Sequence, residues 1–123
     1  MKMFANKKLL LVDDNATTRL IFSETLQRVG IEVIQAGTAL DALEMLSSGL
    51  RIDAVITDHV MPGMYGTQFA KLLGGKYPLL LISSNDLKDT VCDSTEITHF
   101  QRKPLTPPEL LDCVKRLFTA TPL

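Results

Sequence analysis

The sequence predicts an α/β domain, a doubly wound parallel sheet covered by helices on both faces. Three observations carry that prediction. Short, mostly apolar runs alternate with stretches of helical spacing along the chain. The runs lack the strict apolar/polar alternation of strands with one wet face, so they suit strands buried on both sides. Finally, Asp13-Asp14, Asp58, Ser83-Ser84 and Lys103-Pro104 each fall at or just past the end of such a run. In a sheet of this kind those ends share one edge, where ligands bind.

Residues 8–12 (KLLLV), 32–36 (EVIQA), 53–57 (DAVIT) and 79–83 (LLLIS) read as four strands, and 97–101 (ITHFQ) as a weaker fifth. The first helix spans 16–29, with Phe22, Leu26 and Val29 at helical spacing and Gly30 as its stop. Thr38, three residues before Asp41, opens a second helix that carries Leu40, Leu43 and Leu46 and closes at Gly49. Thr67 caps a third, shorter one with Phe69, Leu72 and Leu73, ended by Gly74-Gly75. From Asn85 to Glu96 only Leu87, Val91 and Cys92 are available to bury, so a fourth helix is short or frayed. The last helix is the best marked. Thr106 caps it, Pro107 fits its first position, Glu109 sits three residues after the cap, and Leu110, Leu111, Val114, Leu117 and Phe118 form its stripe. Right-handed crossovers join such units into a parallel sheet.

With 123 residues, 46% of them hydrophobic, the chain has the length of one domain, 1–123, whose core needs no disulfide or metal. Thirteen Lys and Arg against 14 Asp and Glu leave a net charge of −1, without the positive field of a nucleic-acid or anionic-membrane binder. The Lys2, Lys7 and Lys8 cluster is too brief to be a binding arm and reads as a solvated lead-in to the first strand. No apolar run approaches the length of a membrane span, and MKMFANKK has no signal-peptide core. The expected location is therefore the cytoplasm, with Cys92 and Cys113 as unpaired, inert thiols.

Three acids, a hydroxyl and a lysine would converge at the sheet edge. Two like charges at about 4 Å repel by roughly 4 kcal/mol at an effective dielectric near 20, so such a trio requires protons or a cation. Carboxylates without His or Cys select a hard ion such as Mg²⁺ (or Mn²⁺), which also accepts a phosphate oxygen. A metal, an ammonium and a hydroxyl around one small site can hold the oxygens of a phosphoryl group, and a carboxylate facing the phosphorus is then a nucleophile.

Four motifs stand in order: Leu-Val-Asp13-Asp14, Asp58-x-x-Met61-Pro62-Gly63-Met64-x-Gly66, Ser83-Ser84 and Lys103-Pro104. With them the whole chain resembles a receiver domain of the bacterial two-component response regulators, chemotaxis regulators included. The resemblance implies a five-stranded sheet of order 2-1-3-4-5. It also implies that Asp58 takes a phosphoryl group from a phosphohistidine on a histidine kinase or phosphotransfer protein, the chain catalysing its own phosphorylation and dephosphorylation. Asp13, Asp14, Asp58 and the backbone carbonyl of Val60 would hold the Mg²⁺, and Ser83 and Lys103 would bind the phosphoryl group. Ser83 and Phe100 would form the switch that changes protein contacts, and the Lys103-Pro104 bond would be cis. Val60 and Asn85 would influence water access.

The chain departs from the family pattern in places. Tyr65 stands where an acid or amide usually precedes the loop glycine, Gly74-Gly75-Lys76 shortens the turn after helix three, and Ser94-Thr95-Glu96-Ile97 replaces the small-residue pair before strand five. Taken singly, Asp13 is also a turn residue, Asp14-Asn15 a turn or helix cap, Lys103 a surface lysine, Ser84 an alternative donor to Ser83, and Phe100 a core ring. His59 is expected to point away from Asp58 as a bystander or contact, with Met61 and Met64 packing the loop. Two other functions compete. One is a receiver-like protein-interaction module that is never phosphorylated. The other is a Mg-dependent phosphatase with an aspartate nucleophile, disfavoured because Asn15 follows Asp13-Asp14 and no cap domain fits in 123 residues. A flavodoxin would need phosphate donors where Asp13-Asp14 repels. Residues 119–123 read as a tail or the start of a linker, and partner, signal and output are not written in the chain.

Overall fold

The computed structural model describes residues 4–91 and 94–119, so Lys2, Cys92 and the last four residues lie outside the described residues. Elements run β1 (Lys8–Val12), α1 (Ala16–Gln27), β2 (Glu32–Ala36), α2 (Ala39–Ser47), β3 (Ala54–Asp58), α3 (Gly66–Leu73), β4 (Leu79–Ser83), α4 (Lys88–Val91), β5 (His99–Arg102) and α5 (Pro107–Thr119). All strand pairs are parallel and the order is β2-β1-β3-β4-β5. No helix among the described residues is long and apolar enough to cross a membrane.

Alternation along the strands divides the core in two. Leu9 and Leu11 of β1, Ile56 of β3 and Leu80 and Ile82 of β4 pack with Phe22 and Leu26 of α1 and Leu110, Cys113, Val114 and Leu117 of α5. Their neighbours Leu10, Val12, Val55, Leu79 and Leu81 face Ala39 and Ala42 of α2, Phe69, Ala70 and Leu73 of α3 and Val91 of α4. This two-faced burial is why the strands read as unbroken apolar runs. Cys113 is a free, buried thiol in the first layer. Lys7 sets its ammonium 5.7 Å from the centre of the Phe118 ring, tying the lead-in to α5.

Local chemistry explains most boundaries. Asn15 caps α1 by accepting from the Thr18 amide at 2.9 Å, and Thr38 caps α2 by accepting from Asp41 at 3.0 Å. At α5 the Thr106 hydroxyl accepts from the Glu109 amide while Glu109 accepts from both the amide and the hydroxyl of Thr106, a capping box. Those bonds hold the Glu109 carboxyl below its usual range. Among the described residues the fourth helix is a single turn, Lys88–Val91, as the shortage of apolar residues there predicts.

Several local expectations need correction. Helix α3 starts at Gly66 with Tyr65 as its N-cap, not at a Thr67 cap, because Gln68 reaches back to accept the Tyr65 amide at 2.9 Å. Strand β5 runs two residues later than its sequence pattern at its start, and β3 one later. Helix α1 stops at Gln27, and Gly30 takes a φ of +96° in the turn that follows. Leu40 and Leu72 are exposed although both share the apolar spacing of their helices, while the small side chains of Ala42 and Ala70 are buried, the latter together with Phe69 and Leu73. Close approach to the sheet favours small residues, and the leucines beside them turn to solvent.

Adjacent leucines of α3 therefore differ sharply, with Leu73 7% exposed and Leu72 62%. Leu73→Ala is expected to cost about 2–4 kcal/mol of stability and Leu72→Ala less than about 0.5 kcal/mol. Urea midpoints of the two variants, measured at constant slope, check this.

Candidate functional site

Register brings the acids together. Val12 of β1 pairs with Thr57 of β3, so the residues that follow, Asp13 and Asp58, emerge side by side at the carboxyl edge. Asp14 follows Asp13 in the turn before α1. The three carboxylates each offer an oxygen within 4.8 Å of the others. Asp13 is 3% exposed and Asp58 8%, while Asp14 is open to solvent. Lys103 arrives from beyond β5, its Nζ 3.2 Å from Asp58 Oδ1 and 3.9 Å from Asp13 Oδ2.

Each group is held by main chain. The Asp13 amide donates to the Ala36 carbonyl, and Asp13 Oδ1 accepts from the Asn15 amide at 2.8 Å. The Asp58 Oδ1 atom accepts from the His59 amide at 2.9 Å. The Lys103 amide donates to the Ser83 carbonyl at 2.8 Å, which ties the lysine segment to the end of β4, and the Lys103-Pro104 peptide is cis. Ser83 is buried, its hydroxyl oxygen accepting from the Asn85 amide at 3.0 Å. Phe100 is half-buried and packs against the core layer that contains Val91 of α4. Val60 is exposed in the β3–α3 loop, and Met61 is buried beneath it.

His59 does not join the acids. Its ring stacks on Tyr65, centroids 5.0 Å apart and planes 16° from parallel, and burial holds its pKa below the ordinary value against the opposing pull of Asp58.

Other contributors have no motif to announce them. Arg19 donates from its guanidinium to the Asp13 carbonyl at 2.6 Å, anchoring the turn that carries Asp13 and Asp14. The Thr57 hydroxyl, inside β3, donates to the Asp58 carbonyl at 2.9 Å. Gly66 packs against the same segment; a Cβ there would collide with the Asp58 carbonyl, lie 2.7 Å from Leu81 Cδ1 and 2.9 Å from His59 Cα. Arg19 and Thr57 look like ordinary helix and strand residues, and only their neighbours in space give them a role.

The electrostatics favour a cation. Burial raises the Asp13 carboxyl above its ordinary 3.8, and the charges of Asp58 and Asp14 push the same way, while the Asn15 amide and Lys103 oppose them. One ammonium cannot neutralise three carboxylates. An all-oxygen donor set of this size, with neither imidazole nor thiolate in it, fits a hard divalent ion.

The sequence profile described as the response regulator receiver domain matches residues 9–115. The chain is a response regulator receiver domain. This receiver is 30% identical to sporulation initiation phosphotransferase F of Bacillus subtilis, over 90% of the chain and 93% of that protein. Among solved structures it is similar to the chemotaxis response regulator CheY4 of Vibrio cholerae, with a TM-score of 0.82 and 30% identity over 90% of the chain and 98% of that one. The response regulator TrrA of Thermotoga maritima, solved in complex with Mg²⁺-BeF, superposes with a TM-score of 0.79 and 29% identity, covering 90% of the chain and 98% of that one. The receiver is thus a phosphoacceptor of two-component signalling, a class that interacts with histidine kinases or phosphotransfer proteins.

Two outcomes follow from the geometry. Asp13 binds its proton more tightly in the folded state, so its contribution to stability falls as pH rises from the ordinary carboxylate value through the raised one. In metal-free protein Asp13→Asn is therefore expected to raise the melting temperature at pH 7, with the advantage shrinking below about pH 4; thermal unfolding across pH reads it out. Gly66→Ala is expected to cost about 1–3 kcal/mol and to shift the amide resonances of Asp58 and His59, because the backbone it meets belongs to β3.

Proposed function

We propose that Asp58 is the residue that accepts the phosphoryl group and that Asp13, Asp14, Asp58 and the main-chain carbonyl of Val60 hold a Mg²⁺ (or Mn²⁺) ion beside it. The observation that carries this reading is the convergence of three carboxylates and the Lys103 ammonium at one strand edge. When bound, the divalent ion supplies positive charge for the phosphoryl oxygens and relieves the repulsion among the acids.

Asp58 Oδ1 already carries the His59 amide and the Lys103 ammonium, which leaves Oδ2 as the attacking oxygen. As the Oδ2–phosphorus bond forms, the phosphorus–nitrogen bond of the donor phosphohistidine breaks, and the departing imidazole keeps the electron pair and takes up a proton. An acyl phosphate remains on Asp58. Lys103, freed from its ion pair with the aspartate, follows the new charge, and the Ser83 hydroxyl, whose oxygen already accepts from Asn85, keeps its proton to donate. Movement of the β4 end toward the phosphoryl group would open room for Phe100 to turn inward, coupling the acid edge to the surface around α4 and β5. In this reading the whole chain serves as one receiver domain, its downstream target set by that surface.

The donor protein has a natural approach. Exposed Ile21 of α1 sits between two adjoining hollows: one, of about 490 Å³, reaches Ser84, Lys103 and Pro104; the other reaches Pro107, Pro108 and Leu111. A partner helix laid along α1 would bring its histidine to the lysine end of that path.

Intact mass after incubation with Mg²⁺ and acetyl phosphate is expected to show one added phosphoryl group in the wild type and none in Asp58→Asn; an adduct that survives this substitution overturns the assignment, and no adduct on either chain favours an unphosphorylated interaction module. Sustained hydrolysis of a generic phosphate ester would favour a phosphatase instead. Ile21→Lys is expected to slow transfer from a phosphohistidine protein by about tenfold or more, with labelling by acetyl phosphate unchanged.

A further inference from the structure

The segment between β3 and α3 has an unusual closure. His59 and Gly66 are joined by a short main-chain bond, the Gly66 amide donating to the His59 carbonyl at 2.7 Å. Above that bond the His59 and Tyr65 rings stack at 5.0 Å, so the loop of residues 60–64 is tied at its neck twice, once through backbone and once through side chains. At the loop tip Gly63 has a φ of +87° with open space where a side chain would stand. Beneath the tip, Met61 is buried, its sulfur 3.9 Å from the Thr57 hydroxyl.

What the neck holds is the acid edge itself. His59 donates its amide both to Asp58 Oδ1 and, at 3.0 Å, to the Ile82 carbonyl, and the next residue is Val60. A ring stacked on His59 therefore restrains the residue that orients the Asp58 carboxylate on one side and carries Val60 on the other. Tyr65 is itself fixed by its amide, which donates to Gln68 Oε1 at 2.9 Å in the first turn of α3. The stack thus connects the acid edge to a helix that is packed into the core through Phe69 and Leu73.

We propose that Tyr65 is a positioning residue for the metal-binding edge, acting through its ring on His59 to hold the Asp58 and Val60 segment in the geometry that receives a divalent cation. The inference rests on the metal site proposed above. It assigns a purpose to a side chain that is 54% exposed and contributes little to the core. Its hydroxyl is not needed, since stacking uses the ring face alone.

The test is a double-mutant cycle on the full chain, with Mg²⁺ affinity measured by calorimetry and the amide resonances of Asp58 and His59 recorded without metal. Tyr65→Ala is expected to weaken Mg²⁺ binding by about 3- to 10-fold and to move both metal-free amide resonances. Tyr65→Phe keeps the ring and is expected to stay within about twofold of wild type. His59→Ala is expected to match Tyr65→Ala, and the double variant to be no worse than either, because one stack is lost in all three. Tyr65 is exposed and His59 half-buried, and unchanged resonances on β1 and α5 establish that each variant is folded before its affinity is compared. Equal Mg²⁺ affinity in Tyr65→Ala and wild type overturns the inference while leaving the metal site standing, as does an additive double variant. Absence of Mg²⁺ binding by the wild type overturns both.

Discussion

Three carboxylates share one edge of this sheet, and their mutual repulsion is the constraint around which the rest is arranged. At about 4 Å each unneutralised pair costs roughly 4 kcal/mol in a partly screened site, a sizeable part of the stability of a small domain. Asp13 and Asp58 cannot relax apart, because one follows β1 and the other ends β3. Val12 and Thr57 are register partners, and the apolar residues behind them, Leu10, Leu11, Val55 and Ile56, are buried on both faces of the sheet. Hydrophobic burial along β1 and β3 thus holds the charges together, and Lys103 offsets part of their repulsion. What is left unbalanced is negative charge, which favours a cation at this edge.

Around those charges the main chain is the chief instrument. Amides of Asn15 and His59 point at the carboxylates, and the Lys103 amide is tied to the end of β4. Side chains act at one remove: Arg19 on the Asp13 carbonyl, Thr57 on the Asp58 carbonyl. Gly66 is where space runs out, since its Cα lies against the Asp58 peptide and admits no side chain. Such a site is buried at Asp13 and Asp58 and open to solvent at Asp14 and Val60.

Some of this was legible in advance, and the reasons are local. Apolar runs such as Leu79–Ile82 suit strands buried on two faces, and capping residues such as Thr38 and Thr106 mark helix starts because their hydroxyls answer unpaired amides nearby in sequence. Asp13, Asp14, Asp58 and Lys103 could be read as a site because each ends an apolar run. Misreadings arose where a long-range contact overrode the local pattern. Leu40 and Leu72 keep helical spacing yet face solvent, because Ala42 and Ala70 let their helices lie close to the sheet. Thr67 has the chemistry of a cap, but Gln68 binds the Tyr65 amide and starts α3 two residues earlier.

The sequence by itself determined the class of fold, the number and order of its strands and helices, and the kinds of group that meet at the sheet edge, because periodicity and capping are written over a few neighbouring residues. Only the tertiary structure decided that Asp58 Oδ1 is shared by an amide and an ammonium, that Arg19 and Thr57 support the acids from behind, and that His59, already expected to point away from Asp58, stacks on Tyr65. Those facts depend on distances between atoms of segments remote in the chain, set by strand register and by how closely each helix packs, and no short-range pattern encodes them.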